Sequence, residues 1–565
     1  MDVNEILGAV HATSRKRDTS SARQNGTSEK ARSSKFQKLD EDGVAEAPTI
    51  LPAGFFDAEV QEALDKLNAE PADEREALDE MAVRRILSTF EKTVLKNSEL
   101  RVKFADEPLK YLDSEFDLKE AIHKLNLLAT QPDLYPVVLQ MNFVQRIIQL
   151  LSHENTVISY ATILLLEELT DAETLGESAE EASGFVEALL KEHVVISLIQ
   201  NLDRLDESFE DDADAIFHTL GVIENILEFK PDSAEPIAKV GALKWILRRI
   251  NKNMQFDTNK QYASEILSIL VQDSAQNRKA VGEMNGVDIL LRQLSVYKKK
   301  DPQSGDEVEM MENLFNCLNS VLLYGPNRKL FLDGEGIQLM ILMLKEKRLS
   351  LVSAIKVLSF ALTSDDDAEP LCNKFIEALG LGRLFPFFMQ PPKQSHKRGG
   401  TKENVEEHLC SIVSSLARNT TLDFRKRFLF KFEESEFEKV DRVIDLHRDY
   451  VAKVEQCDKE IAKDLQEMDE PDEDTEDQMY LRRLDAGAFT LQKVDILILE
   501  IYSDAELEVR KRINRILTMQ QVPRESITKP VKEYMEEIKQ EHGDVSKRRD
   551  YARLSVLMDR FQVVD

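Results

Sequence analysis

Apolar residues recur at helical spacing through most of the chain, and one arrangement of them occurs twice. Asn277-Arg278-Lys279 is followed by Gly286 and then by apolar residues at positions 287, 290, 291 and 294. Asn327-Arg328-Lys329 is followed in the same way by Gly336 and by apolar residues at 337, 340, 341 and 344. This spacing defines one face of an amphipathic helix, and the Gly predicts the end of the helix before it. A duplication of this kind is typical of a helical solenoid.

The same apolar spacing starts at six positions, which we call anchors and which lie 44 to 51 residues apart. The anchors are Phe143, Val194, Ala242, Gly286, Gly336 and Gly380. After each anchor helix the pattern predicts a longer apolar helix, over Val157–Leu169, Ala213–Phe229, Tyr262–Val271, Met310–Leu323, Val352–Leu362 and Val405–Leu416. Two short helices and one long helix per repeat is the armadillo layout, whereas HEAT repeats have two helices. Because alternating strand-like runs are few, we predict an all-α, armadillo-type helical solenoid.

The segments on either side of the repeats have a different character. We predict a disordered basic tail at 1–54, an N-terminal helical cap at 55–130, armadillo-type repeats at 131–420, and a C-terminal helical region at 421–565. An acidic loop at 467–477 interrupts the last region. A solenoid needs atypical terminal units with a polar outer face, and the N-terminal cap meets that need.

Two basic clusters lie in the N-terminal tail, and between Arg15 and Lys38 there are eight basic and two acidic residues. The clusters consist of Arg15, Lys16 and Arg17, and of Lys30, Arg32, Lys35 and Lys38. This arrangement is similar to a bipartite nuclear localisation signal, and it predicts a nuclear protein. A solvated polar tail is the alternative interpretation.

The net charge of the chain limits the classes of molecule that we expect it to bind. Its 565 residues include 104 Asp and Glu against 74 Lys and Arg, which gives a formal net charge of -30. Such a surface repels phosphates and attracts basic proteins, so we expect no direct binding of nucleic acid. The four cysteines are widely spaced, which favours reduced thiols in the nucleus or cytosol. No apolar run approaches the ~20 residues that cross a bilayer, so we expect no membrane partner.

Patterns typical of catalysis or metal binding are missing from the sequence. The nine histidines are scattered, no two of them are four residues apart, and no phosphate-binding Gly-rich loop or nucleophile motif occurs. The acidic run at 469–474 lacks the Gly that a calcium loop needs for its turn. We therefore expect a protein that is not an enzyme and that has no cofactor and no metal.

Polar residues among the apolar positions of the long helices form the candidate peptide-binding site. They are Glu167, Glu168, Asp171, Glu224, Asn225, Glu228, Glu265, Asp273, Glu309 and Glu312. If the carboxylates point into a common groove, they attract Lys and Arg through charge-assisted hydrogen bonds, and the amide can bond a peptide backbone. An ordinary solvated helix face is the alternative for each of them.

An import-adaptor-like carrier of nuclear-localisation-signal cargo is the second functional hypothesis. Import adaptors of the armadillo type clamp basic peptides with a ladder of Trp and Asn. This chain has a single tryptophan, Trp245, and it lies on an anchor helix rather than on a long one. A tryptophan ladder is therefore absent, and any grip on basic peptides must differ.

Several longer stretches resemble the beta-catenin-like family of armadillo-repeat nuclear proteins, over roughly residues 85 to 520. The matching stretches lie at 112–115, 129–135, 201–208, 309–315, 334–340 and 480–487. The resemblance implies a nuclear scaffold in pre-mRNA splicing, associated with the spliceosome through the Nineteen complex. It also implies binding of basic segments of splicing factors, among them the Myb-related component of that complex. The sequence leaves a homodimer open.

Overall fold

A computed structural model of the protein describes residues 78–171, 179–363, 368–392, 401–467, 473–540 and 545–562. Within these ranges the chain forms α-helices joined by loops and short 3-10 turns, and no strand occurs in them. The described residues belong to two compact units, which divide between Arg204 and Leu205.

The first unit contains three helices ahead of the first anchor and then helices at the anchor spacing. They are α1 (Glu80–Lys103), α2 (Leu112–Lys124), α3 (Tyr135–Leu139), α4 (Phe143–Leu150), α5 (Thr156–Thr170), α6 (Ala179–Lys191) and α7 (Val194–Leu202). Helix α2 packs against α1 and α5, and α4 packs against α5 and α7. Leu118, Ile147, Leu166 and Leu198 are fully buried between these helices. Their burial follows from the apolar face of each helix.

The second unit repeats a triplet of helices. Its elements are α8 (Glu210–Phe229), α9 (Ala234–Ile237), α10 (Leu243–Asn251), α11 (Thr258–Gln272), α12 (Ala275–Glu283), α13 (Gly286–Leu294), α14 (Gly305–Leu322), α15 (Gly325–Asp333), α16 (Gly336–Glu346), α17 (Leu351–Leu362), α18 (Ala368–Glu377), α19 (Leu381–Met389), α20 (Lys402–Asn419), α21 (Leu422–Phe430), α22 (Glu438–Glu467), α23 (Glu473–Asp485), α24 (Ala488–Asp504), α25 (Leu507–Met519), α26 (Arg524–Gln540) and α27 (Val545–Gln562). The prediction of an all-α, armadillo-type fold is confirmed by the triplets α12–α14, α15–α17 and α18–α20.

The long third helices of the second unit form a row. Helix α8 packs against α11, α11 against α14, α14 against α17, α17 against α20, and α20 against α24. The row therefore includes one helix from the predicted C-terminal region, where α22, α26 and α27 also pack against α24. The predicted domain boundaries themselves stay predictions.

Each of the six anchors is preceded by a residue in the left-handed region of backbone conformation. These residues, with their φ values, are Asn142 (53°), His193 (60°), Gly241 (120°), Asn285 (64°), Glu335 (59°) and Leu379 (63°). A single left-handed residue reverses the chain between a first helix and the second helix that follows it. The repeat spacing read from the sequence is thus also the spacing of the backbone turns.

The role predicted for the anchor glycines was wrong. Gly286 and Gly336 do not end the first helix; they are the first residues of α13 and α16, and the left-handed turn is made by Asn285 and Glu335. What Gly336 provides is space, because a Cβ there would lie 2.3 Å from the ring of Phe331. Glycine is needed here for the close approach of two helices rather than for its φ.

The duplicated Asn-Arg motif caps third helices. Arg278 donates from Nε to the carbonyl of Val271 at 2.9 Å, near the C-terminus of α11. Arg328 donates from Nη1 to the carbonyl of Leu322 at 2.8 Å, at the end of α14. The last carbonyls of a helix have no partner within the helix, so a guanidinium from the next helix satisfies them.

Candidate functional site

The predicted carboxylates of the second unit lie on three neighbouring helices of the row. Glu224 is on α8, Glu265 on α11, and Glu309 and Glu312 on α14; all four are partly exposed. Helices α8, α11 and α14 are in contact in that order. We call the side of α8, α11 and α14 that carries these residues, together with the adjoining side of α17, the third-helix face. The structure therefore brings these four predicted residues onto one surface.

Hydrogen bonds between neighbouring helices hold three of these carboxylates in place. Tyr262 donates from its hydroxyl to Oε2 of Glu224 at 2.6 Å. Gln261 donates from Nε2 to Oε2 of Glu309 at 2.9 Å. Ser353 donates from its hydroxyl to Oε2 of Glu312 at 2.9 Å. All three donors are neutral, so these bonds orient the carboxylates without adding a positive charge.

Tyr262, whose hydroxyl bonds Glu224, also packs against the ring of Phe217. The ring centroids of Phe217 and Tyr262 are 4.8 Å apart, with an angle of 54° between the planes. Phe217 is seven residues before Glu224, which places both on the same side of α8. A guanidinium or ammonium group is attracted both to an aromatic face and to a carboxylate, so it can bind favourably where the two are adjacent. The i, i+7 spacing of Phe217 and Glu224 was the signal in the sequence that could have identified this pair.

A lysine marks the end of the acidic part of the face. Lys356 lies on α17 and is partly exposed. Burial lowers the pKa of Lys356 to about 8, and the nearby charge of Glu312 offsets only part of this effect. Because this side chain is still mostly charged at pH 7, it opposes the field of Glu312. The acidic part of the third-helix face therefore extends from α8 to α14.

Comparison with known proteins identifies the family. A family model described as "Catenin-beta-like, Arm-motif containing nuclear" matches residues 58–532. The chain belongs to this family. It is 43% identical over 488 residues to beta-catenin-like protein 1 of Homo sapiens, covering 86% of each chain. The protein of the same name from Bos taurus is similar to the same extent, and the homolog from Schizosaccharomyces pombe is 32% identical over 496 residues, covering 85% of each chain.

The other predicted acidic residues of this catenin-beta-like chain are not among the four carboxylates that define the third-helix face. Glu167 and Glu168 are on α5 and Asp171 follows it, in the first unit; the middle one is exposed and the other two are partly exposed. Glu228 and Asp273 are exposed at the C-terminal ends of α8 and α11.

The prediction for Asn225 has to be corrected. Its side chain is 6% exposed, because it points from α8 into the packed interior rather than onto the third-helix face. A buried amide cannot pair with the backbone of a peptide on the surface. Asn225 is therefore left out of the proposed binding surface.

Parts of the prediction fall outside the residues that the structure describes. These are the residues of the nuclear localisation signal: Arg15, Lys16, Arg17, Lys30, Arg32, Lys35 and Lys38. Within the described ranges, no three or more His, Cys, Asp or Glu side chains are grouped so that they could hold a metal ion. None of the helices in those ranges is both long and apolar enough to span a membrane.

A Ser-His-Asp arrangement in the C-terminal helices, with a buried His and Asp and a partly exposed Ser, was not predicted. His447 on α22 contacts Oδ1 of Asp495 on α24 through Nδ1 at 2.5 Å, and Oγ of Ser526 on α26 through Nε2 at 3.0 Å. The hydroxyl of Ser526 also lies 2.7 Å from the carbonyl of Pro523, and when it donates to that carbonyl it can only accept from the imidazole. A nucleophilic serine needs the opposite direction. The arrangement therefore joins three helices, and burial raises the pKa of Asp495 to about 7.

Proposed function

We propose that this catenin-beta-like protein is a non-enzymatic nuclear scaffold in pre-mRNA splicing, associated with the Nineteen complex. On the third-helix face it holds Lys- and Arg-rich segments of protein partners. One observation carries the binding proposal: carboxylates lie on three successive helices, and those on α8 and α14 are oriented by neutral donors from the neighbouring helices. Oriented carboxylates bind guanidinium groups through short, charge-assisted hydrogen bonds.

The spacing of the helices favours a particular kind of basic segment. Packed helices lie roughly 8–10 Å apart, so carboxylates on successive helices are separated by a similar distance. A chain in the polyproline II conformation has three residues per turn and rises ~3.1 Å per residue. Side chains three residues apart then point in the same direction and are separated by about 9.3 Å along the segment. We expect the face to prefer segments with a basic residue at every third position.

A peptide-binding experiment tests this function. The probe is a fluorescent peptide with Arg at every third position, and its affinity is measured by anisotropy. The variant Glu224→Gln/Glu265→Gln/Glu309→Gln should bind at least tenfold more weakly than the unchanged protein. Added salt should weaken the binding as well, because the interaction is electrostatic and partly exposed. A peptide of the same composition with its Arg residues contiguous should bind less tightly.

A matched control separates the site from the overall charge. The variant Asp423→Asn/Glu508→Gln/Glu536→Gln removes the same number of charges from exposed positions of the second unit that lie away from the third-helix face. It should change the affinity less than twofold. Equal weakening by both triple variants would mean that the peptide responds to net charge alone, and the site assignment would then be wrong.

The splicing role follows from the family resemblance and is tested separately. The tagged protein, purified from nuclear extract at moderate salt, should bring down Nineteen-complex proteins, and the Glu224/Glu265/Glu309 variant should bring down less. Recovery of no spliceosomal protein would exclude the role while leaving peptide binding in place. The import-adaptor hypothesis is not favoured, because Trp245 is 6% exposed on α10 and forms no part of the third-helix face.

A further inference from the structure

Helix α17 shows a single narrow stripe of side chains to solvent. Of its twelve residues, Val352, Lys356 and Phe360 are partly exposed and all the others are buried. The three are spaced four residues apart, which places them along one side of the helix. Because Lys356 is the charged member of this stripe, it sets the sign of the charge that α17 adds to the third-helix face.

Lys356 has the position on α17 that Glu265 has on α11. Tyr262 on α11 donates a hydrogen bond to a carboxylate of the preceding third helix, and Glu265 follows three residues later. Ser353 on α17 likewise donates to a carboxylate of the preceding third helix, and Lys356 follows three residues later. Residues three apart are neighbours on a helix surface. The row therefore carries a base at a position where an earlier helix carries an acid.

The ammonium group of Lys356 has only part of the compensation that its charge needs. Glu312 interacts with it electrostatically, but burial has the larger effect on its pKa. Among the described residues, its Nζ forms no hydrogen bond. Val352 and Phe360 border it with apolar side chains, and a partly buried pair of charges is screened less than an exposed pair. An anion that arrives beside Lys356 is thus bound more strongly than one beside a fully exposed lysine.

We propose that Lys356 binds an acidic side chain of the partner's segment, placed one step beyond the basic residues that α8, α11 and α14 hold. The proposal rests on the function proposed above and gives the bound segment an order of charges. When basic residues occupy positions 1, 4 and 7 of a polyproline II segment, the next side chain in that direction is at position 10. A Glu at position 10 reaches α17, which follows α14 in the row.

The bound segment also removes the repulsion between this acid and Glu312. Glu309 and Glu312 both lie on α14, so the basic residue at position 7 is attracted to both carboxylates. That base compensates the negative charge closest to Lys356. The ammonium group then has the acid at position 10 as its counter-ion.

Net charge and an ion pair with Lys356 predict opposite effects of such an acid. The chain has a formal net charge of -30, so a Glu added to a basic peptide weakens binding if the overall charge alone decides. An ion pair with Lys356 reverses this effect, because hydrogen bonds between charged groups are roughly twice as strong as those between neutral ones. The sign of the change therefore distinguishes the two cases.

Anisotropy measurements on the full-length protein at pH 7 test this inference. Each labelled peptide has Arg at three positions and either Glu or Gln at a fourth, with two Ala residues between successive positions. Both peptides are made in both chain directions, so that the fourth side chain follows or precedes the Arg residues. In one direction the Glu peptide should bind at least threefold more tightly than its Gln counterpart, and moving the Glu by one residue should abolish this gain. A Glu that weakens binding or leaves it unchanged in both directions would overturn the inference.

Variants of the lysine show whether it is the cause of the preference. Lys356→Met replaces a partly buried charge by an apolar side chain of similar length, so it should keep or raise the melting temperature. With this variant the Glu peptide should bind more weakly than the Gln peptide. Lys356→Glu should instead prefer a peptide with Lys at the fourth position, an effect that a merely structural role does not produce. Lys426→Met, at an exposed lysine on α21, should keep the preference for Glu. A preference for Glu that survives Lys356→Met would contradict the assignment.

The same measurements separate this inference from the function on which it rests. If the Gln peptide binds, the Glu224/Glu265/Glu309 variant weakens that binding, and Glu brings no gain, then the grip on basic segments stands and the role of Lys356 is excluded. If none of the peptides binds, both proposals are wrong.

Discussion

Asn327 donates a hydrogen bond from Nδ2 to the main-chain carbonyl of Arg278 at 2.8 Å, and this bond joins the first helices of two successive repeats. The same nitrogen donates to the carbonyl of Val321 at 3.0 Å, near the end of the preceding third helix. Asn277 repeats the arrangement one repeat earlier, with bonds to Ala234 at 3.2 Å and Leu270 at 2.8 Å. One asparagine per repeat thus connects three helices across two repeats.

The first prediction concerns this asparagine. Asn327→Leu should lower the free energy of unfolding by about 2–4 kcal/mol, because two main-chain carbonyls lose their donor in a buried setting. Asn316→Leu is the matched control, since Asn316 is exposed on α14; it should change the stability by less than about 0.5 kcal/mol. Urea unfolding followed by circular dichroism measures both. Equal effects of the two substitutions would show that the connection does not stabilise the repeats.

The second prediction contrasts two glycines. Gly336→Ala should destabilise the protein by about 1–3 kcal/mol, because the new Cβ meets the Phe331 ring at 2.3 Å and the helices must separate. Gly382 lies in α19, and a Cβ added there would have no atom within 4 Å. Gly382→Ala should therefore stabilise the protein by about 0.5–1 kcal/mol. Thermal melting distinguishes the two signs. A stabilising Gly336→Ala would contradict the close packing described for the anchors.

The third prediction tests the core between repeats. Leu290 on α13 is fully buried, and Leu290→Asp should cost several kcal/mol or prevent folding, because an unpaired charge is placed in an apolar interior. Leu342 on α16 is 40% exposed, and Leu342→Asp should be tolerated with a change below about 1 kcal/mol. The measurement is the melting temperature of each variant. An unchanged value for Leu290→Asp would mean that the apolar face of α13 is wrongly assigned.

The fourth prediction is a pH dependence of peptide binding. The pKa of Lys356 is lowered by burial to about 8, so this side chain loses its positive charge between pH 7 and pH 9. The third-helix face then becomes more negative, and an Arg-only peptide, which stays charged throughout, should bind more tightly at the higher pH. Removing one charge at a distance of several ångströms is worth roughly 0.5–1 kcal/mol, or a two- to fivefold gain.

The variant Lys356→Met provides the control for that pH dependence. It should bind the Arg-only peptide at pH 7 as tightly as the unchanged protein does at pH 9, and its affinity should be the same at both values. Lys426→Met, at a lysine that is 83% exposed and far along the chain on α21, should keep the original pH dependence. Peptide affinity that falls between pH 7 and pH 9 in the unchanged protein would contradict the position assigned to Lys356.

The sequence was sufficient for the helices and their spacing, because burial of one helix face imposes an apolar period that can be read directly. The two helices starting at Gly286 and Gly336 were predicted in this way. The function of those glycines could not be read, since a Gly that ends one helix and a Gly that begins the next occur in the same pattern. Only the backbone conformation of Asn285 and Glu335 separates the two cases.

The site could be predicted only in part for a related physical reason. Spacing along α8 places Glu224 on its surface, but the Tyr262 hydroxyl that orients the carboxylate comes from another helix. Lys356 is equally remote from Glu312 in the sequence, although the two interact in the structure. Asn201 looks like any polar residue in an amphipathic helix, although its carboxamide is buried without a hydrogen-bond partner among the described residues. Pairing between repeats depends on which helices pack together, and a single chain's pattern does not contain that information.

A solved structure of the protein with the Arg-rich peptide bound tests the central claim most directly. The account predicts a peptide that crosses α8, α11 and α14, with guanidinium groups within hydrogen-bond distance of Glu224, Glu265 and Glu309 and one of them over the ring of Tyr262. A peptide bound elsewhere on the molecule, with none of these carboxylates in contact with it, would contradict the account.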